Sequence, residues 1–261
     1  MKVAVITGAS KGIGLSMAKA LTEDGWTVYG LARTQSAASG VHMLPCDITR
    51  EEEVSSTFAQ IVDEAGRIDL LVCNAGMGIS GSIEHTQMSE MKYLFDVNFF
   101  GAVRCTQQAV PVMRQQGGGK IVYTSSMAAP FTVPFQVFYS AAKAAINTLC
   151  EGVNLEMNAF GIQACALLLG DRKTTFTGSR KKNFAGDESY HGAVERCVAA
   201  MEESEQKAPS ADTVAETLRE VLAAEKLPLY QTCDEYGELY SWSGLGNHDK
   251  ILEYFKQKYA L

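Results

Sequence analysis

In the segment FYSAAKAA, residues 138–145, Tyr139 and Lys143 stand four residues apart in a run of small helix formers. On a helix, that spacing puts both side chains on one face. A free phenol titrates near ~10, too high for ready proton exchange at neutral pH, where the most useful acid–base groups titrate close to the operating pH. A cation on the same face favours the phenolate and lowers that value. The pair could therefore give and take back a proton. Ordinary decoration of a helix surface is the bland alternative, and the rest of the chain has to choose.

A second stretch, TGASKGIG (7–14), points to phosphate. Gly8, Gly12 and Gly14 let a backbone turn tightly after a strand, and the helix that follows offers free N–H groups and the positive end of its dipole. A dinucleotide site reads its ribose at the end of the second strand, with an acid for a 2′-hydroxyl or an arginine for a 2′-phosphate. Here that point reads YGLARTQS: Ala32 stands where an acid would be, Arg33 follows, and Lys11 lies in the glycine loop. The missing acid and the two cations favour NADP(H), with NAD(H) the alternative.

These residues need a scaffold, and the apolar pattern supplies one. Strand-like runs occur at 2–7, 26–32, 41–47, 68–76, 117–126 and 161–170, with a further edge candidate at 227–232. They are continuous rather than alternating, as in a parallel sheet covered on both faces. Helical stretches separate them, including one with Thr49 and Glu52 spaced as a capping box and a long one over about 86–116. The pattern predicts an α/β protein: a doubly wound, Rossmann-type parallel sheet of about seven strands with helices on both faces. The 261 residues, 46% of them hydrophobic, fit a single domain over 1–261. Residues 171–210 break the rhythm with a polar, basic run that reads as a solvated lid over the substrate site. The tail DKILEYFKQKYAL has Ile251, Leu252, Phe255 and Tyr259 at helical spacing.

Composition removes several function classes. A net charge of -7 and a pI near 5.2 leave no footprint for nucleic acid or an anionic membrane surface. No apolar run approaches the ~18 residues of a membrane span. The seven cysteines form no CxxC pair, and neither they nor His42, His85, His191 and His248 have metal-ligand spacing, so no metal is expected. Buried free thiols and a strand that begins almost at the N-terminus lead us to expect a cytoplasmic protein.

In order along the chain, TGASKGIG, CDIT (46–49), NAG (74–76), DVNFFG with Asn98, TSSMAA (124–129) and YSAAK (139–143) resemble the short-chain dehydrogenase/reductase family, in its compact single-domain branch. The resemblance runs over nearly the whole chain and thins after about residue 175. It implies a catalytic tetrad of Asn98, Ser126, Tyr139 and Lys143, Ser126 being chosen over Ser125 by its spacing of 13 residues from Tyr139. It implies cofactor contacts at Gly8, Ser10, Lys11, Gly12, Ile13, Gly14, Arg33, Asp47 (toward the adenine), Ile48, Asn74, Ala75, Gly76, Tyr139, Lys143, Gly170 and Thr174. By the same analogy, Asn98 anchors a water that relays protons through Lys143. One departure is Leu169, which replaces the family's usual proline before Gly170. A homodimer or homotetramer is implied, paired through helices at about 86–116 and 138–160.

The implied activity is interconversion of a secondary alcohol and a ketone, a small-molecule reaction of carbonyl reductase type. The apolar loop MAAPFTVPFQVF, with Phe131, Val133, Phe135 and Phe138, together with Met77 and Ile79, suggests a bulky hydrophobic substrate, such as one of steroid type. A non-catalytic NADP(H)-binding regulator is the main alternative. An epimerase or dehydratase of the extended branch is a second, disfavoured by the form of the glycine loop.

Overall fold

The computed structural model describes residues 1–34, 38–233, 254 and 257. The first half contains β1 (Val3–Thr7), α1 (Gly12–Glu23), β2 (Thr27–Ala32), β3 (Val41–Pro45), α2 (Glu51–Ala65), β4 (Leu70–Cys73) and β5 (Ile79–Ser80). Next come α3 (Met88–Phe95), a π-helical turn at Asp96–Phe100, α4 (Gly101–Gln115), β6 (Gly119–Thr124), α5 (Val137–Met157) and β7 (Ile162–Leu168). The remainder holds α6 (Phe176–Ser179), β8 (Lys181–Lys182), α7 (Ala193–Lys207), α8 (Asp212–Ala223) and β9 (Tyr230–Thr232).

Seven strands pair in the order β3-β2-β1-β4-β6-β7-β9, every neighbour parallel. Val5 lies between Tyr29 and Leu71 in register. The chain winds outward from β1 toward β3, then restarts at β4 and winds the other way. That reversal opens a crevice at the carboxyl ends of β1 and β4, where ligands bind in such sheets. Every residue of β1 and β4 is buried, which is why these strands read as unbroken apolar runs. One face packs Val5, Phe58, Ile121, Tyr123 and Ile146 among α2, α4 and α5. The other packs Ile6, Met17, Leu21, Leu167 and Leu218 among α1 and α8. None of the seven cysteines forms a disulfide, and six of them are buried. No helix among the described residues is long and apolar enough to cross a membrane.

Four local expectations are corrected. Thr49 and Glu52 do not form a capping box: α2 starts one residue late, with Arg50 at its N-cap and no side-chain cap. Instead Asp47 Oδ1 accepts from the Thr49 N–H and hydroxyl, while Glu53 accepts the Asp47 N–H. The stretch 86–116 is two helices joined through the π turn rather than one regular helix. The segment 171–210 contains the 15-residue α7, with Val194, Cys197, Val198 and Met201 buried on one side. Its basic run is largely paired rather than solvated: Arg172 and Arg180 are buried, Lys181 pairs with Glu90, and Lys182 with Glu202. The helical tail expected beyond residue 249 lies outside the described residues, apart from Tyr254 and Gln257.

Candidate active site

The glycine loop sits at the carboxyl end of β1, where the sheet reverses. Gly8 and Gly12 adopt positive φ, 68° and 55°, a conformation that strains any residue with a Cβ. Gly14 is required for a different reason. A Cβ there would lie 2.3 Å from the Gly8 carbonyl oxygen and 2.5 Å from Asn74 Nδ2. Asn74 braces the loop from below: its Nδ2 donates to the carbonyls of Thr7 (3.0 Å) and Gly8 (3.4 Å). The Thr7 hydroxyl in turn accepts the N–H groups of Asn74 and Ala75. Lys11 takes the N-cap position of α1 without capping it, and no acid lies in the first turn. The first N–H groups of α1 thus keep their capacity to bind an anion.

From this loop a cavity of about 400 Å³ runs to Tyr139. Of the residues expected to touch a cofactor, Gly8, Ser10, Lys11, Gly12, Ile13, Arg33, Asp47, Ile48, Asn74, Ala75, Gly76, Tyr139, Lys143, Gly170 and Thr174 line it. Gly14 does not; it lies behind the loop and permits the turn. The cavity is open, glycine-walled and uncapped at the helix end, with Arg33 and Lys11 among its lining residues, and so suits the phosphates of a dinucleotide. Arg33 Nη1 donates to the Tyr93 hydroxyl at 3.0 Å. Leu169 is buried in the core beside β7, and its carbonyl accepts the Met127 N–H at 2.8 Å. Packing therefore anchors the position where the family resemblance implies a proline.

Ser126, Tyr139 and Lys143 share one end of the cavity. The two serines differ in their surroundings. Ser125 is buried and donates to Asn147 Oδ1 at 2.6 Å, turned into α5, whereas the Ser126 hydroxyl donates to the Leu169 carbonyl at 3.3 Å and accepts the Ala128 N–H, close enough to Tyr139 to favour its ionised form. Enclosure pushes the Tyr139 phenol up to about 12, against lowering by Ser126 and Arg180 and with further raising by Glu205 and Asp171. Burial pushes Lys143 down to about 8. Its ammonium donates to the Thr124 carbonyl at 2.6 Å and lies 5.7 Å from the Tyr139 ring centre. The expectation that Lys143 depresses the phenol is thus corrected. Desolvation dominates both groups, and the cation that lowers Tyr139 is Arg180.

Asn98 sits behind the cavity wall, in the π turn, 2% exposed. Its amide accepts the Met77 N–H and donates to the Met77 carbonyl, both at 2.8 Å. A single π turn is a common way to aim a residue at a functional site. Here it aims Asn98 at the backbone after NAG, so its side chain holds that turn.

The substrate end is walled by Met127, Phe131, Val133, Phe176 and Met201. Four of the apolar residues expected there lie elsewhere. Met77 and Ile79 pack with Leu94 and Ala142, Phe135 packs in the cluster around Met127 and Met201, and Phe138 lines a separate surface groove with Met88 and Tyr93. Two further charged residues line the cavity: Arg180, which the sequence placed only in the solvated basic run, and Glu205, which it did not single out. Arg180 Nη2 pairs with Glu205 Oε1, and Glu205 Oε2 accepts from Thr177 at 2.5 Å. The α7 pattern held a signal for Glu205, which falls four residues after Met201 on the helix's buried face.

This fold, with a glycine loop at the sheet reversal and a serine, tyrosine and lysine at the far end of one cavity, defines a nucleotide-dependent oxidoreductase of the Rossmann type. The family model for short chain dehydrogenase matches residues 2–184, and the chain belongs to that family, whose members use NAD(P)(H). It is 38% identical over 208 residues to 3-ketodihydrosphingosine reductase of Bacteroides thetaiotaomicron, covering 78% of this chain and 77% of the relative. To rat estradiol 17-beta-dehydrogenase 1 it is 31% identical, over 67% of this chain and 55% of that one. A short-chain dehydrogenase structure from Streptomyces avermitilis superposes with a TM-score of 0.82 at 28% identity, covering 98% of each chain.

Proposed function

We propose that the protein is an NADP(H)-dependent reductase that converts a ketone on a long apolar molecule into a secondary alcohol, working as one nucleotide-binding domain. The observation that carries this reading is the single cavity: the glycine loop and Arg33 at one end, Ser126 and Tyr139 at the other, and an apolar wall beyond them. A keto-lipid is favoured over a steroid because the likeness to the 3-ketodihydrosphingosine reductase is higher and covers more of both chains than that to the estradiol enzyme.

Gly8, Gly12 and the first turn of α1 would hold the cofactor phosphates, Arg33 and Lys11 its 2′-phosphate, and Lys143 its nicotinamide ribose. When bound, the cofactor supplies the hydride. Tyr139 holds a proton at its hydroxyl and gives it to the carbonyl oxygen. Enclosure raises its pKa, so this donor stays protonated across neutral pH. The Ser126 hydroxyl donates to the same oxygen, where negative charge develops. Asn98 positions the turn at 76–77 that borders the site, and the apolar wall excludes water.

The test is a titration with NADPH against NADH, followed by turnover of long-chain 3-ketones, ketosteroids and keto-sugars. We expect NADPH to bind more tightly and the long-chain ketones to turn over fastest. Tyr139→Phe should lower kcat by roughly 10²–10⁴-fold while the cofactor still binds. Retained turnover in that variant, or activity on sugars alone, would refute the reading. A regulator without catalysis would turn over nothing and be indifferent to Tyr139.

A further inference from the structure

Arg180 is the most unusual side chain in the cavity wall. Its guanidinium is 2% exposed, and only Nη2 has an acceptor, Glu205. Nε and Nη1 are buried with no hydrogen-bond partner among the described residues. Buried donors without partners are rare, and each one calls for an explanation. The surroundings supply one. Phe176, on the four-residue α6, lies 5.7 Å from the guanidinium and 6.1 Å from the Tyr139 ring, so one side chain covers both groups. No residue of α6 is buried, so little packing energy holds the ring in place. Gly78 makes room beneath: a Cβ there would lie 2.9 Å from Phe176 Cζ and 3.3 Å from Arg180 Cγ.

Resting on the proposed ketone reductase reading, we infer that Arg180 is a specificity-determining residue that receives a second, neutral oxygen of the substrate, a hydroxyl or carbonyl a few carbons from the ketone that Tyr139 protonates. The donors need an acceptor, and charge decides which kind. Glu205 already balances the guanidinium, and Asp171 lines the same cavity. An anion would add negative charge to a neutral pair beside a carboxylate, whereas a neutral oxygen satisfies the N–H groups without one. The substrate's oxygen displaces the Phe176 ring from the guanidinium, and the apolar remainder lies along Met127, Phe131, Val133 and Met201.

The experiment is a series of ketones of equal chain length, with a hydroxyl moved stepwise away from the carbonyl, alongside the plain ketone and a keto acid. The readout is the ratio of kcat/KM for each compound to that of the plain ketone. One hydroxyl position should exceed the plain ketone by roughly ten- to 100-fold, as a hydrogen bond to a charged group allows, and the keto acid should gain nothing. Arg180→Lys keeps a charge beside Glu205 but loses the planar fork of donors, and should bring the ratio close to one. Arg180→Met with Glu205→Gln, which leaves no uncompensated charge, should do the same. A loss of packing alone would lower all rates together and leave the ratio standing. A flat series in the wild type, or a ratio unchanged in Arg180→Lys, overturns the inference while leaving the reductase reading intact. If no ketone turns over, thermal shifts of the cofactor-loaded protein with the diol and mono-alcohol products decide it. An Arg180-dependent preference for the diol supports the inference even as the reductase reading falls, and equal shifts overturn both.

Discussion

The two ends of the cavity are built on opposite principles. The cofactor end is made of backbone: positive-φ glycines, an uncapped helix start, and a loop braced by Asn74 and Thr7 through hydrogen bonds that leave neither side chain idle. The substrate end is made of side chains, and it buries an ion pair whose arginine keeps two nitrogens, Nε and Nη1, without hydrogen-bond partners among the described residues. A dinucleotide presents one fixed shape, so a rigid frame that satisfies its own polar atoms suits it. A wall that recognises one substrate among many ketones can hold a group whose partner arrives with the ligand. The difference should show in how each end fails when a single residue is changed.

The largest effect belongs to the substrate end. Glu205→Leu would leave Arg180 charged, buried and without its acceptor. Breaking a buried pair in this way costs about 3–5 kcal/mol. Arg180→Leu together with Glu205→Leu should be far less destabilised than the sum of the single changes, because no lone charge remains. Urea unfolding of the four proteins measures the coupling. Additive losses would show that the pair acts as two independent packing groups, and the contrast between the ends would weaken.

At the cofactor end, Gly14→Ala tests the backbone frame. The new Cβ meets the Gly8 carbonyl and Asn74 Nδ2 at distances no real contact tolerates, so the loop or the brace must shift. Overpacking of this kind costs about 1–3 kcal/mol, and the displaced loop should bind NADPH more weakly. Gly152→Ala is the control: nothing lies within 4 Å of its Cβ position, and a helix interior gains about 1 kcal/mol from the exchange. Equal cofactor affinity in Gly14→Ala and the parent protein would show that the loop adapts, contrary to a rigid frame.

The same contrast explains what the sequence revealed. The five inner strands were legible because burial on both faces forces unbroken apolar runs, the half-buried edge strands β3 and β9 because short apolar runs repeat the same rhythm, and the glycine loop because its turn admits few other residues. That Ser125 is turned into α5 and Ser126 toward the Leu169 carbonyl was not legible, because both follow β6 in a loop whose course no residue spacing fixes. The Arg180–Glu205 pair was not legible: an arginine among GSRKKN and a glutamate among EESEQK look like solvated charges, and only packing of α7 against the cavity brings them together. The π turn at Asn98 was hidden too, because no residue type marks a single extra residue in a helical turn. The inferred lysine effect on Tyr139 failed because spacing gives proximity but not desolvation, which here outweighs it.

Desolvation also gives the smallest predicted effect, at Lys143, where the two ends meet. Its ammonium titrates at about 8 in the folded chain against 10.5 when unfolded. Between those values the unfolded chain binds more protons, so stability rises with pH; as pH falls through 8, the buried ammonium must be kept charged and that gain is lost. The buried thiols oppose this at higher pH. Cys73, Cys150 and Cys165 are pushed up to about 12 from 9.0, so above pH 9 the unfolded chain sheds protons that the native chain keeps, and stability falls. Those thiols already begin to deprotonate in the unfolded chain near pH 8, so the lysine contribution is read as a difference: the stability of the parent relative to Lys143→Met should rise with pH between about 8 and 10.5, by about 1 kcal/mol per pH unit at most. A difference that stays flat across that range would mean that the Thr124 carbonyl holds the ammonium strongly enough to offset its burial.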